Sequence, residues 1–100
     1  MQVYLIIDIE VIDQALYSEY VRKVPATVEK YGGRYLARGG NIRTLSGDWR
    51  PERIILIEFP SAEALRGWIS SPDYAALRDI RERSTRDRAI IVEGVPSSGE

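Results

Sequence analysis

The sequence predicts an α+β sandwich of order β-α-β-β-α-β, and three observations carry that reading. Val3, Leu5, Ile7, Ile9 and Val11 alternate with Tyr4, Ile6, Asp8 and Glu10, the period of a strand whose odd face is fully apolar. Directly afterwards Leu16, Tyr20 and Val24, with Tyr17, Val21 and Val28, recur at helical spacing. From Lys23 to Ser61, two glycine pairs and an arginine-rich turn then punctuate segments that read as strands.

Taken in order, the first strand gives way to a helix that Asp13 can cap. Pro25 lacks the donor that a continuous helix needs, so two abutting helical pieces are expected, ending at Gly32 and Gly33 where a left-handed cap costs little. Arg34 to Arg38 reads as a short strand turned by Gly39-Gly40-Asn41. A further extended piece is expected at Ile42 to Leu45, before the Ser46-Gly47-Asp48 turn. Arg53 to Phe59 is apolar on both faces, as a central strand covered on two sides would be. Ser61 is a good N-cap for a short helix with Ala64, Leu65, Trp68 and Ile69 inward. Ser71-Pro72-Asp73 restarts a helix in the favoured order of cap, proline and acid, with Tyr74, Leu77, Ile80 and Arg81 on its stripe. Its other side pairs Arg78 with Glu82 and Asp79 with Arg83. Arg88 to Val95 is the last strand. The expected organisation is one domain over residues 1–95 and a frayed tail over residues 96–100.

That order is the ferredoxin-like split βαβ plan, in which both helices cover one face of the sheet. The other face, built from Tyr4, Ile6, Ile54 and Leu56, would stay open to water in a monomer, so a second sheet from a homodimer is the expected cover.

The chain also resembles a known family along nearly its whole length. The resemblance is carried by Tyr20 with the KVPAT segment, YGGRYLARGG, the GDWRPER turn, the IEFPS strand end, Trp68, SPDY, Arg81 and the closing VEG. Their order and spacing resemble the uncharacterised domain of unknown function 1330 family. The resemblance implies ferredoxin-like subunits that pair as dimeric α+β barrels around a cleft, and it lends no catalytic residues. Ser46 stands where members of that family often carry an acid in an EG turn, so no role resting on a carboxylate there carries over.

Composition narrows the chemistry. At 100 residues the chain can bury only roughly 60–70% of the surface it exposes when unfolded, so its core is thin and a partner subunit would help. Basic side chains number 14 against 15 acidic ones, which gives no electrostatic case for nucleic acid. There is no cysteine and no histidine. Disulfides, iron–sulfur ligation, thiolate zinc sites and the usual general base near neutral pH are thereby excluded, and neither a metal nor a cofactor is expected. The first eleven residues have no positive flank, and Asp8 interrupts their apolar run, so they read as a strand and not as a signal peptide. With no run of the roughly 20 apolar residues that a membrane helix needs, no membrane association is expected, and the expected location is a bacterial cytoplasm.

Two constellations are candidates for a site. Asp8, Glu10 and Glu58 fall on the open sheet face, because strand residues two apart share a side. If the first and third strands run parallel, Asp8 and Glu58 lie near the same end, where clustered carboxylates can raise one pKa and supply an acid or base. Equally, they can pair with Arg34, Arg38 or Arg53. Tyr74 and Arg81 stand two helical turns apart on one face, where a phenol and a guanidinium can orient a carboxylate or enolate. Arg38 precedes a glycine turn that lets backbone approach a ligand, and Trp49 offers a loop indole as a binding surface. The expectation is that Arg38, Tyr74 and Arg81 line one cleft beside Glu58. Two functions fit: a dimeric module binding a small carboxylate or enol-type metabolite in a cleft at the sheet face, or, by analogy of fold alone, a cofactor-independent monooxygenase- or isomerase-like enzyme using Glu58 or Asp8 with Arg38, Tyr74 and Arg81.

Overall fold

Most of the predicted strands and helices find their partners through the side chains that the pattern turned inward, although Ile69, expected on the inner stripe of its helix, is exposed. The computed structural model describes residues 1–96 and runs β1 (Val3–Val11), α1 (Gln14–Lys30), β2 (Arg34–Arg38), β3 (Arg53–Phe59), α2 (Ala62–Ile69), α3 (Pro72–Ser84) and β4 (Thr85–Glu93). The four strands form one antiparallel sheet in the order β2-β3-β1-β4. This is the ferredoxin-like α+β fold. Beyond Pro96, the tail expected over residues 96–100 lies outside the described residues.

One face of the sheet carries the core. Val3, Leu5, Ile9, Ile55, Ile57 and Phe59 are buried beneath Tyr17, Tyr20, Val24 and Val28 of α1, Leu65 and Trp68 of α2, and Tyr74 and Leu77 of α3. Phe59 and Trp68 pack with ring centroids 5.5 Å apart, and Trp68 and Tyr74 at 4.3 Å. The opposite face presents Tyr4, Ile6, Ile54 and Leu56, flanked on β4 by Ile90 and Val92, which are 59% and 44% exposed.

The caps form as the sequence predicts. Asp13, Ser61 and Ser71 each accept a backbone N–H of the following first turn, at 3.1, 3.0 and 3.0 Å. The glycine pair after α1 divides its work. Gly32, at φ 84°, lets its own N–H reach the Glu29 carbonyl at 3.0 Å while the Gly33 N–H reaches that of Val28 at 2.9 Å, which closes a Schellman motif. Gly33 serves packing: a Cβ there would lie 2.6 Å from Val28 Cγ1 and 2.8 Å from Phe59 Cε1.

Four expectations are corrected. Pro25 does not split α1, which is one helix of 17 residues. Its buried stripe continues on both sides of the proline, and that packing outweighs a cost of about 3 kcal/mol. Ile42 to Leu45 forms no strand: the segment from Gly40 to Glu52 is irregular, with Leu45 99% exposed. β4 begins at Thr85, three residues earlier than expected, because α3 passes into it with no loop between them. Finally, β1 and β3 run antiparallel, with Tyr4 opposite Glu58 and Asp8 opposite Ile54.

Candidate functional site

Between α1 and the sheet lies a cleft with almost wholly apolar walls. It is narrow, with a cavity volume of about 30 Å³. Ile7, Ile9, Ile55 and Ile57 form its floor, Val21 and Val24 its roof, and Trp68 closes one side. Three tyrosines, Tyr17, Tyr20 and Tyr35, and three arginines, Arg38, Arg53 and Arg81, complete the lining.

The register explains why the arginines gather there. Ile9 of β1 lies between Arg53 of β3 and Asp87 of β4, all on the helix-covered face. Arg53 donates through Nε to the Tyr17 hydroxyl at 2.9 Å, and its guanidinium lies 5.4 Å from the centroid of that ring. Arg38 sits 4.9 Å from the ring centroid of Tyr35. Gly39, at φ 77°, turns the chain immediately after it, and a Cβ there would stand 2.5 Å from Arg53 Nη1. The turn therefore needs glycine for its conformation and to leave room for Arg53.

Arg81 enters from the opposite side. The last turn of α3 is anchored by Ser84, whose carbonyl accepts the N–H groups of Ile12 and Asp13 at 2.8 and 3.2 Å. This holds Arg81 over the cleft, paired through Nη1 with Asp87 and donating through Nε to the Tyr74 hydroxyl at 2.9 Å. Thr85 also donates to Asp87, at 3.0 Å. Burial works against the charge on Arg81, but the Tyr74 oxygen and the Asp87 carboxylate outweigh it and hold the guanidinium more firmly protonated than usual. Burial also keeps two phenols protonated. It pushes Tyr35 up to about 12 against the opposing pull of Arg38, and it raises Tyr20, with Tyr74 beside it adding to the effect.

Of the residues that the sequence singled out, Arg38 and Arg81 line this cleft, and Tyr74 stands directly behind its wall. Glu58, Asp8 and Trp49 do not join them. Glu58 lies on the open sheet face, accepting from Arg34 at 2.9 Å and from the Tyr4 hydroxyl at 3.3 Å. Asp8 is on that face too, held by the Trp49 indole N–H at 3.1 Å and by Arg88 at 3.2 Å. Because the strands are antiparallel, four residues of β1, about 13 Å, separate the positions of the two carboxylates. They form no shared acid–base pair. Arg34 was among the partners the sequence offered, whereas Arg88 and Trp49 were not. Tyr17, Tyr20, Tyr35 and Arg53 went unassigned to the site, although Tyr17 and Tyr20, three apart on the buried stripe of α1, carried the signal of two hydroxyls entering a core.

The chain matches the domain of unknown function DUF1330 over residues 2–95. The chain belongs to this family. A protein of unknown function from Rhodopseudomonas palustris is similar in structure, with a TM-score of 0.80 at 18% identity over 95% of this chain and 83% of that one. A dimeric ferredoxin-like protein of unknown function from Jannaschia sp. gives a TM-score of 0.72 at 13% identity over 94% and 100% of the two chains. SnoaB, a cofactor-independent oxygenase from Streptomyces nogalater, gives 0.70 at 11% identity over 99% and 98%. At these identities the likeness establishes the fold and no activity. No curated protein matches the chain.

Proposed function

We infer that this DUF1330 protein is a homodimer that binds a small, largely apolar molecule bearing a carboxylate or enol-type oxygen, and that the cleft beneath α1 is where it binds. One observation carries the reading: among the described residues Arg38 and Arg53 pair with no carboxylate, yet both lie over tyrosine rings at the rim of an apolar cleft. A guanidinium without a counterion beside an apolar space suits an anionic head on a hydrophobic body. Arg81, with Tyr74 behind it, closes the other side of the same space.

Benzoate and phenylpyruvate are suitable probes, titrated by NMR or calorimetry. Arg38→Ala removes an exposed side chain and should weaken either probe about tenfold or more, the value of a charge-assisted contact, while leaving the melting temperature almost unchanged. Arg81→Ala should weaken binding at least as much and also lower stability, because it strands Asp87. Failure of both probes to bind the wild-type protein, or equal binding by Arg38→Ala, overturns the reading.

The homodimer rests on the exposed apolar residues of the open face and on the dimeric state of the Jannaschia protein. Light scattering should give twice the monomer mass at micromolar concentration, and Ile90→Asp should give the monomer. A wild-type monomer sinks this part of the proposal.

The likeness to SnoaB favours a second reading, a cofactor-independent enzyme. Glu58 and Asp8 would then act on the open face, on a substrate held between the two sheets of a dimer, because neither borders the α1 cleft. Slow, pH-dependent turnover of an enol substrate that Glu58→Gln abolishes would select this reading, and tight binding untouched by that change would select the binding module.

A further inference from the structure

Arg38 and Arg53 are neighbours as well as unpaired. Arg38 lies opposite Ile55 in the β2–β3 ladder, and Arg53 stands two residues before Ile55, so the two arginines are diagonal neighbours on adjacent strands. Positions so related lie about 7–8 Å apart, within reach of long side chains. The Arg53 guanidinium in fact rests against Gly39, the residue that follows Arg38, with Nη1 2.5 Å from where a Cβ would stand.

What holds each guanidinium is a tyrosine. Arg53 has the ring and hydroxyl of Tyr17, and Arg38 has the ring of Tyr35. Neutral phenols steady a cation without cancelling its charge. Arg81 differs, because Asp87 balances it. Among the described residues two positive charges therefore stay uncompensated on one turn at the mouth of the cleft, where Arg38 is open to solvent. A single carboxylate would offset one of them and leave the other beside its like-charged neighbour.

We propose that Arg38 and Arg53 together select a ligand whose head carries two negative charges, a dicarboxylate, a carboxylate beside an enolate or a phosphate monoester, over one with a single charge. The inference rests on the reading that an anionic ligand binds at this cleft. It gives Arg53 a share in specificity equal to that of Arg38, since each guanidinium can meet one charged group through paired N–H···O bonds. The head stays at the mouth, and only the apolar body enters the narrow space beneath α1.

The full chain is titrated with two pairs of probes that differ by one charge: phenyl phosphate against phenyl sulfate, and phthalate against its monomethyl ester. At about pH 8 the phosphate monoester is a dianion, its second pKa lying near 6, whereas the sulfate ester carries one charge. The dianion of at least one pair should bind about tenfold more tightly, and the pair that responds tells a phosphate head from two carboxylates. Where the phosphate pair responds, lowering the pH to about 5 should erase the preference, because the phosphate then carries one charge. Arg38→Gln and Arg53→Gln should each remove most of it. Should Arg53→Gln not fold, the wild-type comparison and Arg38→Gln decide. If both members of each pair bind equally while benzoate binds, the inference fails and the cleft reading stands. If no probe binds, benzoate included, both fail. A dianion preference that Arg38→Gln leaves intact also overturns the inference, because charge elsewhere would then produce it.

Discussion

Phe59→Ala should destabilise the protein by about 3–5 kcal/mol, the cost of emptying a well-packed aromatic site. Phe59 is fully buried, with Trp68 against its ring at 5.5 Å and Gly33 above its edge. Gly33 has no side chain to move into the space, and Trp68 is tethered by its indole N–H to Thr27 Oγ1 at 3.0 Å, so the cavity has little means of collapse. Denaturant unfolding at matched protein concentration measures this, since dimerisation makes apparent stability depend on concentration. The effect should reach the candidate site as well. Trp68 is both the neighbour of Phe59 and a wall of the cleft, so the variant should bind a carboxylate probe less tightly than Leu65→Ala, which empties a core position outside the cleft lining. A loss below about 1 kcal/mol would mean that the interior between α2 and β3 is far looser than close packing allows.

Much of this fold was legible because its decisive signals are local. Alternation in Val3 to Val11, the caps at Asp13, Ser61 and Ser71, and the glycines after Lys30 each act within a few residues of where they are read. Pro25 misled because the penalty is local and its compensation is not: Tyr20, Val24 and Val28 are held by residues from β1, β3 and α3. Ile42 to Leu45 has strand-forming residues but pairs with none of the four strands.

The site was harder to read because it depends on register. The direction of β3 was in fact implied by the element order. A helix returns β2 parallel to β1, the turn into β3 reverses it, and β3 must therefore oppose β1. Following that step would have separated Glu58 from Asp8 at once. The partners themselves are cross-strand accidents of register, as with Asp8 opposite Arg88 and Arg34 opposite Glu58, and no spacing along the chain encodes them. Arg38, Tyr74 and Arg81 were brought together by a different route, each being the polar residue next to an apolar stripe where an element ends or turns.

Stability should fall steeply above pH 10, and two tyrosines of the cleft should account for much of the loss. In the unfolded chain a tyrosine ionises near pH 10. In the folded protein burial pushes Tyr35 up to about 12 and raises Tyr20, so above pH 10 the unfolded state has released protons that the native state still holds. Fewer protons on the unfolded state means that stability declines as pH rises, by about 1.4 kcal/mol per pH unit for each such group, until the native group also ionises. Below about pH 9 both states are protonated and neither tyrosine contributes a slope. Lys30, whose pKa Asp73 raises, works in the same direction, so the wild-type curve alone does not isolate the phenols. Tyr20→Phe and Tyr35→Phe do: each removes one titrating group while keeping its ring, and each should reduce the decline between pH 10 and 11 by about 1 kcal/mol in denaturant titrations, because the unfolded tyrosine is half ionised at pH 10. A slope unchanged by Tyr20→Phe would mean that its hydroxyl is solvated in the folded protein and not buried beside Tyr74.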